Sequence, residues 1–128
     1  MSRLRYFFDL PFSSRQRRLA ESRSPMSRDD FAAQLATNEF GRAAAAVLWE
    51  KLQERLCFEG FSPHPTDDLC RVYGLAEEDL DEDVILAILN TLHCPIPGED
   101  ILNNIGPINT PKDLIRLVEA SCSTASAA

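Results

Sequence analysis

Residues 74–97 read GLAEEDLDEDVILAILNTLHCPIP, and the fold turns on how this stretch is read. Six of the seven residues from Glu77 to Asp83 are acidic. Val84, Ile85, Ile88, Leu89 and Leu92 then recur at helical spacing, which predicts a helix from about Leu80 or Asp81 to His93 with that stripe buried. Carboxylates suit a helix start, where unpaired N–H groups and the positive end of the macrodipole await a negative charge. Leu86 falls roughly 130° from the stripe on a 3.6-residue wheel, so it is expected either to face a partner or to lie under the N-terminal segment. Cys94-Pro95 stops the helix and Pro97-Gly98 adds a turn.

Upstream, the residues before Gly74 divide into three parts. Residues 1–27 are rich in Arg and Ser and read as a basic, flexible arm. Pro11 and Pro25 oppose a long helix there. Two other readings of the arm stay open. One is an anchor to a partner or membrane surface built on Tyr6, Phe7, Phe8, Leu10 and Phe12. The other is a targeting leader; separately, MSRDDF at Met26 opens as plausibly as MSRLRY at Met1, so the start stays open between the two. Ser27 and Asp30 form a capping signature for a short helix carrying Phe31 and Leu35. Asn38 restarts or continues it into a long helix from Glu39 to Cys57, on which Ala45, Leu48, Trp49, Leu52 and Leu56 fall within about 100° of arc. Gly60 ends that helix. Residues 58–76 form a loop too apolar to hang free, through Phe58, Phe61, Leu69, Val72, Tyr73 and Leu75. One helical turn is expected in it, from Asp67 or Asp68 to Tyr73.

Downstream, Ile101, Leu102 and Ile105 predict a short helix within residues 99–109. Thr110 and Asp113 make a capping box for a last helix, with Pro111 at its first position and Leu114, Ile115, Leu117 and Val118 on its apolar face. The small-residue end, 122–128, reads as a disordered tail. No stretch reads as a strand, so the class is all-α, with one folded unit over residues 28–121.

Two local motifs carry a family resemblance. IPGED at residues 96–100 is similar to the Ile-Pro-Asp-Glu turn that follows the second helix of acyl carrier proteins. INTPKDL at residues 108–114 is similar to the Ile-x-Thr-Val-x-Asp-Leu entry to their last helix. With the acidic helix start, residues 40–120 resemble that family's four-helix bundle, here with an extra N-terminal helix or arm. The resemblance implies an acidic helix read by a basic partner. It does not carry over the prosthetic group, because the serine that would bear 4′-phosphopantetheine is replaced. Aligning Leu80-Asp81 with the family's Leu-Asp puts Asp79 at that position, and aligning through the Ile-Pro turn puts Glu78 there. Neither carboxylate can form the required phosphodiester. The nearest serines are Ser62 and Ser121.

Charge bears on partners in the same direction. The chain has a formal net charge of −7, but residues 1–28 carry +5 and the remainder −12. An acidic body repels nucleic acid and anionic lipid and attracts basic protein surfaces. The expected function is therefore a non-catalytic binding or adaptor module. Glu77, Glu78, Asp79, Asp81, Glu82 and Asp83 would supply charge, and Leu80 and Leu86 apolar contact, with no cofactor. One alternative is a genuine carrier with an atypical modification site. Another is a small metal protein using Cys57, His64, Cys70, His93 and Cys94, whose spacings match no common zinc knuckle. A Cys70–His64 hydrolase lacks any third orienting group, and the alternating Asp79, Asp81 and Asp83 miss the spacing of a calcium loop. The four cysteines contain no CxxC pair and read as reduced thiols in a cytoplasmic protein.

Overall fold

The computed structural model describes residues 11–57 and 61–127, and every regular element among them is helical. In chain order these are α1 (Pro11–Ser22), α2 (Arg28–Leu35), α3 (Glu39–Gln53), α4 (Leu69–Tyr73), α5, α6 (Glu99–Ile105) and α7 (Pro111–Ala127). α5 is one helical run in which Glu77–Asp79 and Leu86–Thr91 are joined by a π-helical segment, Leu80–Ile85.

The starts of these helices follow from local side-chain chemistry. Ser27 Oγ accepts from the Asp30 amide at 3.1 Å, and Asn38 Oδ1 from the Gly41 amide at 3.0 Å. Asn38 therefore restarts the chain as a new helix, after Ala36 has turned extended. Asp68 Oδ1 accepts from the Arg71 amide at 2.8 Å and opens α4. At α7 the box is reciprocal: the Asp113 amide donates to Thr110 Oγ1, and the Thr110 amide donates back to Asp113 Oδ2. Each such cap satisfies a donor that the first helical turn leaves free and is worth about 1 kcal/mol.

The ends follow too. α4 stops at Gly74, whose φ of 68° lies in the left-handed region that glycine adopts without penalty. α5 ends in the same way but on His93, with φ 57°. The Cys94 amide then reaches back to the Leu89 carbonyl at 2.9 Å, a 6→1 closure of the last turn. A side chain in this conformation is strained, so His93→Gly is expected to raise stability by about 0.5–1 kcal/mol. A urea midpoint at or below that of the parent would contradict this.

The core is built from α2, α3, the loop with α4, α5 and α7. Phe31, Leu48, Leu52, Leu69, Leu75, Ile88, Leu89, Leu114, Ile115, Leu117 and Val118 are all buried. Trp49 stands at its edge, half-buried and edge-on to Phe31 with ring centroids 5.2 Å apart. The expected stripe of α5 is observed in Val84, Ile85, Ile88 and Leu89, with Leu92 half-buried. The loop before α5 is packed down as expected, with Phe61, Leu69, Val72, Tyr73 and Leu75 buried. Phe58 and Gly60 lie outside the described residues.

Three expectations are corrected. First, residues 11–22 are helical and docked. Pro11 does not oppose the helix but starts it, at the position where a missing N–H costs nothing. Leu19 and Ala20 of α1 pack on the core, and a buried polar side chain fixes its seat. Gln16 is fully buried and donates to the carbonyls of Arg55 (3.0 Å) and Val72 (2.8 Å), while accepting from the Cys57 amide at 2.9 Å. Residues 1–10, with the aromatic anchor of Tyr6, Phe7 and Phe8, lie outside the described residues. Second, the chain end is not a tail: α7 runs to Ala127, with Ser121 and Cys122 each 1% exposed. Third, the cysteines are not all reduced thiols, because Cys94 and Cys122 are joined in a disulfide with Cα atoms 5.2 Å apart; Cys57 and Cys70 are free. The cytoplasmic reading loses the support it drew from four thiols. Among the described residues no helix is long and apolar enough to cross a membrane.

Candidate docking site at the start of α5

The acidic run sits where α5 emerges from the packed loop. Glu77, Glu78, Asp81, Glu82 and Asp83 are exposed, and Asp79 is half-buried. Leu86 is 36% exposed, so it is not covered by α1 and faces outward, as its angle on the wheel implies. Leu80 is the exception among the expected contact residues. It is only 7% exposed and belongs to the core. The π-helical turn explains this: the Leu86 amide bonds to the Asp81 carbonyl, five residues back. The wider turn lets Leu80 share the inward side with Val84 and Ile85. Leu80 also stands four residues before Val84, on the same side of the helix.

Two grooves flank the run and take four of its six acids, two each. The first, about 470 Å³, lies between α4, the start of α5 and residues 107–109. Leu69, Leu75, Leu80 and Ile108 contribute its apolar walls, and Asp68, Glu77 and Asp81 its charge. Among the described residues no Lys or Arg lines it. The second, about 370 Å³, lies between the end of α3 and α5. There Glu82 and Asp83 share the space with Lys51 and Arg55. Arg55 is itself turned toward the backbone and donates to the Gly74 carbonyl at 3.3 Å. Among the described residues, none of the six carboxylates from Glu77 to Asp83 has an ion-pair or hydrogen-bond partner. The ion pairs found are Arg23–Asp67 and Arg28–Glu50.

The residues proposed for other chemistries are not assembled. His64 Nδ1 lies 2.9 Å from Thr66 Oγ1, and Cys70 is exposed in the wall of the first groove. Cys94 is held by Cys122, and among the described residues no three His, Cys, Asp or Glu side chains stand close enough to hold a metal ion. The two serines nearest to a carrier role are both buried and both engaged. Ser62 Oγ accepts from the Met26 amide at 2.7 Å, and Ser121 Oγ donates to the Pro95 carbonyl at 2.7 Å.

One buried cluster supports the loop below the site and has no local signature in the sequence. Asp67, 4% exposed, accepts four hydrogen bonds: two from Arg23 (2.5 and 2.9 Å), one from Tyr73 Oη (2.5 Å) and one from the His64 amide (3.1 Å). Arg23 also donates to the Ser62 carbonyl and lies over the Phe61 ring, 4.8 Å from its centroid. Burial weakens the charged form of Arg23, but the Asp67 carboxylate more than offsets this and the guanidinium holds its proton above the ordinary value. Burial first, and the Asp67 charge second, push the Tyr73 phenol far up. Arg23 precedes Asp67 by 44 residues, so no spacing rule connects them.

Comparison with protein-family models, with curated proteins and with solved structures found no match to this chain.

Proposed function

We propose that this chain is a non-catalytic docking module that offers the acidic start of α5 to a basic protein surface, on an acyl carrier protein-like bundle that has lost its attachment serine. The observation that carries the reading is the set of six carboxylates from Glu77 to Asp83, five of them exposed and none paired within the described residues. Like charges held together and left unneutralised raise one another's energy, and a cationic partner relieves that. The side toward Glu77 and Asp81 is the stronger half, since among the described residues no cation lines the groove there. Leu86 supplies an exposed apolar contact beside it. The rival carrier reading gains nothing from Ser62 or Ser121, whose hydroxyls are buried in hydrogen bonds.

The test is kinetic. Glu78, Asp79, Asp81 and Glu82 are replaced together by Lys, and binding to an immobilised Lys/Arg-rich peptide is followed at low salt. The association rate is expected to fall by about tenfold or more, as for a steered encounter that has lost its field. A control variant reverses Glu21, Glu39, Glu50 and Asp100, all exposed and elsewhere on the surface. It changes net charge equally and should retain most of the rate. Equal loss in both variants would reduce the effect to net charge and sink the reading.

A further inference from the structure

The disulfide closes a loop that holds one weakly packed segment, residues 95–106. Between Cys94 and Cys122 lie the turn 95–98, α6, the connection 106–110 and the first part of α7. The part of α7 inside it is core: Leu114, Ile115, Leu117 and Val118 are at most 2% exposed. Residues 109–112 are also tied down, through the Leu69 amide to the Asn109 carbonyl (2.8 Å) and the Lys112 amide to the Pro65 carbonyl (3.3 Å). Residues 95–106 are different. α6 buries no residue; Ile101 and Ile105 only lean on the core, while Ile96 is 75% and Leu102 45% exposed. Beside those side-chain contacts, Ser121 Oγ of α7 donates a hydrogen bond to the Pro95 carbonyl. It adjoins the disulfide at both ends.

We propose that Cys94–Cys122 is a thiol–disulfide latch: oxidised, it clamps residues 95–106 onto α7, and reduced, it releases them while the rest of the fold stands. Local units with few buried contacts open without global unfolding, and α6 buries no residue of its own. The chemistry is asymmetric in access. Cys122 is 1% exposed, whereas Cys94 is half-buried at the outer end of α5. In opening, a low-molecular-weight thiolate attacks the Cys94 sulfur, forming a mixed disulfide there and expelling the Cys122 thiolate, which takes a proton. A second small thiolate then attacks the outer sulfur of the mixed disulfide and releases Cys94 as a thiol. Two small thiols leave as one small disulfide, and the protein gains two electrons and two protons. Closing is the reverse, with the small disulfide as oxidant. Release frees Ile101 and Ile105 to join Ile96 and Leu102 as one exposed apolar segment. This latch does not depend on the docking role of α5.

The experiment uses the full chain, equilibrated with glutathione disulfide or with reduced glutathione. Thiols are counted by alkylation and intact mass, and backbone amide exchange is followed by peptide. The oxidised chain should expose two alkylatable thiols, Cys57 and Cys70, and the reduced chain four. On reduction, exchange across residues 95–106 should rise by about tenfold or more, with α3 and α4 unchanged. Cys122→Ser in the oxidised buffer should copy the reduced pattern; if it does not fold, the comparison within the parent chain still decides. Four free thiols in both buffers would overturn the latch. So would unchanged exchange in 95–106, or a uniform rise throughout the chain, which would mark a global staple.

Discussion

Asp67→Asn is expected to destabilise the fold by about 3–5 kcal/mol, the range for breaking a buried, hydrogen-bonded charge pair from one side. The substitution barely changes shape, so its effect isolates charge and donor count. The carboxylate accepts from two Arg23 nitrogens, from Tyr73 Oη and from the His64 amide. An amide has one acceptor oxygen, and its NH₂ would point at donors. Arg23 would be left partly buried without its counter-ion, its side chain only 21% exposed. Denaturant unfolding of the variant against the parent measures the loss, and a change below about 1 kcal/mol would show that the cluster is not structural.

The same cluster fixes an alkaline limit. The Tyr73 phenol is pushed up in the folded state, first by burial and then by the Asp67 charge. In the unfolded chain it ionises near pH 10. The folded state therefore holds the proton more tightly, so the contribution is complete below about pH 10 and is lost as pH rises above it. Tyr73→Phe should flatten that part of the stability–pH curve while lowering stability at neutral pH.

Gly41→Ala is the second large expected effect, at about 2–3 kcal/mol, combining overpacking with a disturbed helix cap. Glu119 comes from α7, is 6% exposed, and its Oε2 accepts from the amides of Thr37 (2.6 Å) and Asn38 (3.1 Å) at the start of α3. It lies directly over Gly41. A Cβ there would overlap the carboxylate, at 2.6 Å from Cδ and 2.8 Å from Cγ. The glycine is needed for space, since a carboxylate from a distant helix occupies the place of its side chain. Glu119→Ala alone should cost less, about 1–2 kcal/mol, because the freed amides sit on exposed residues that water can reach. In the double variant the clash is gone, so the two losses should fall short of additive by about 1 kcal/mol or more. Strict additivity in a double-mutant cycle would exclude the contact as the cause.

Helix existence and helix starts were legible in the residues themselves. Ser27, Asn38, Asp68 and Thr110 cap within three positions of their own helix, so the information is local. The stripe of Val84, Ile85, Ile88 and Leu89 and the packed loop around Leu69–Tyr73 were legible for the same reason. The acidic run was equally visible, and its exposure follows from the cost of burying unpaired carboxylates. Leu80 was expected at the contact surface, yet it lies one turn before Val84 on the buried side, a placement the i, i+4 spacing already allowed.

The N-terminal helix and the chain end misled in opposite ways. The segment around Arg15–Arg18 has the composition of a free arm, and its docking joins the apolar contacts of Leu19 and Ala20 to a buried glutamine whose three partners come from Arg55, Cys57 and Val72. The residues after Ser121 have the composition of a tail, yet they extend a helix that a disulfide holds to α5. In both places a polar or small residue becomes interior only because a partner dozens of residues away satisfies it.

By itself, then, the sequence determined the helical class, the caps, the apolar faces and the unneutralised charge at the start of α5, all of which depend on neighbours within a turn or two. Only the tertiary structure decided the Arg23–Asp67–Tyr73 cluster, the seat of Glu119 over Gly41, the seat of Gln16 and the pairing of Cys94 with Cys122. The physical reason is that a buried polar group is stable only where its distant partner meets it, and that meeting is a property of the assembled helices.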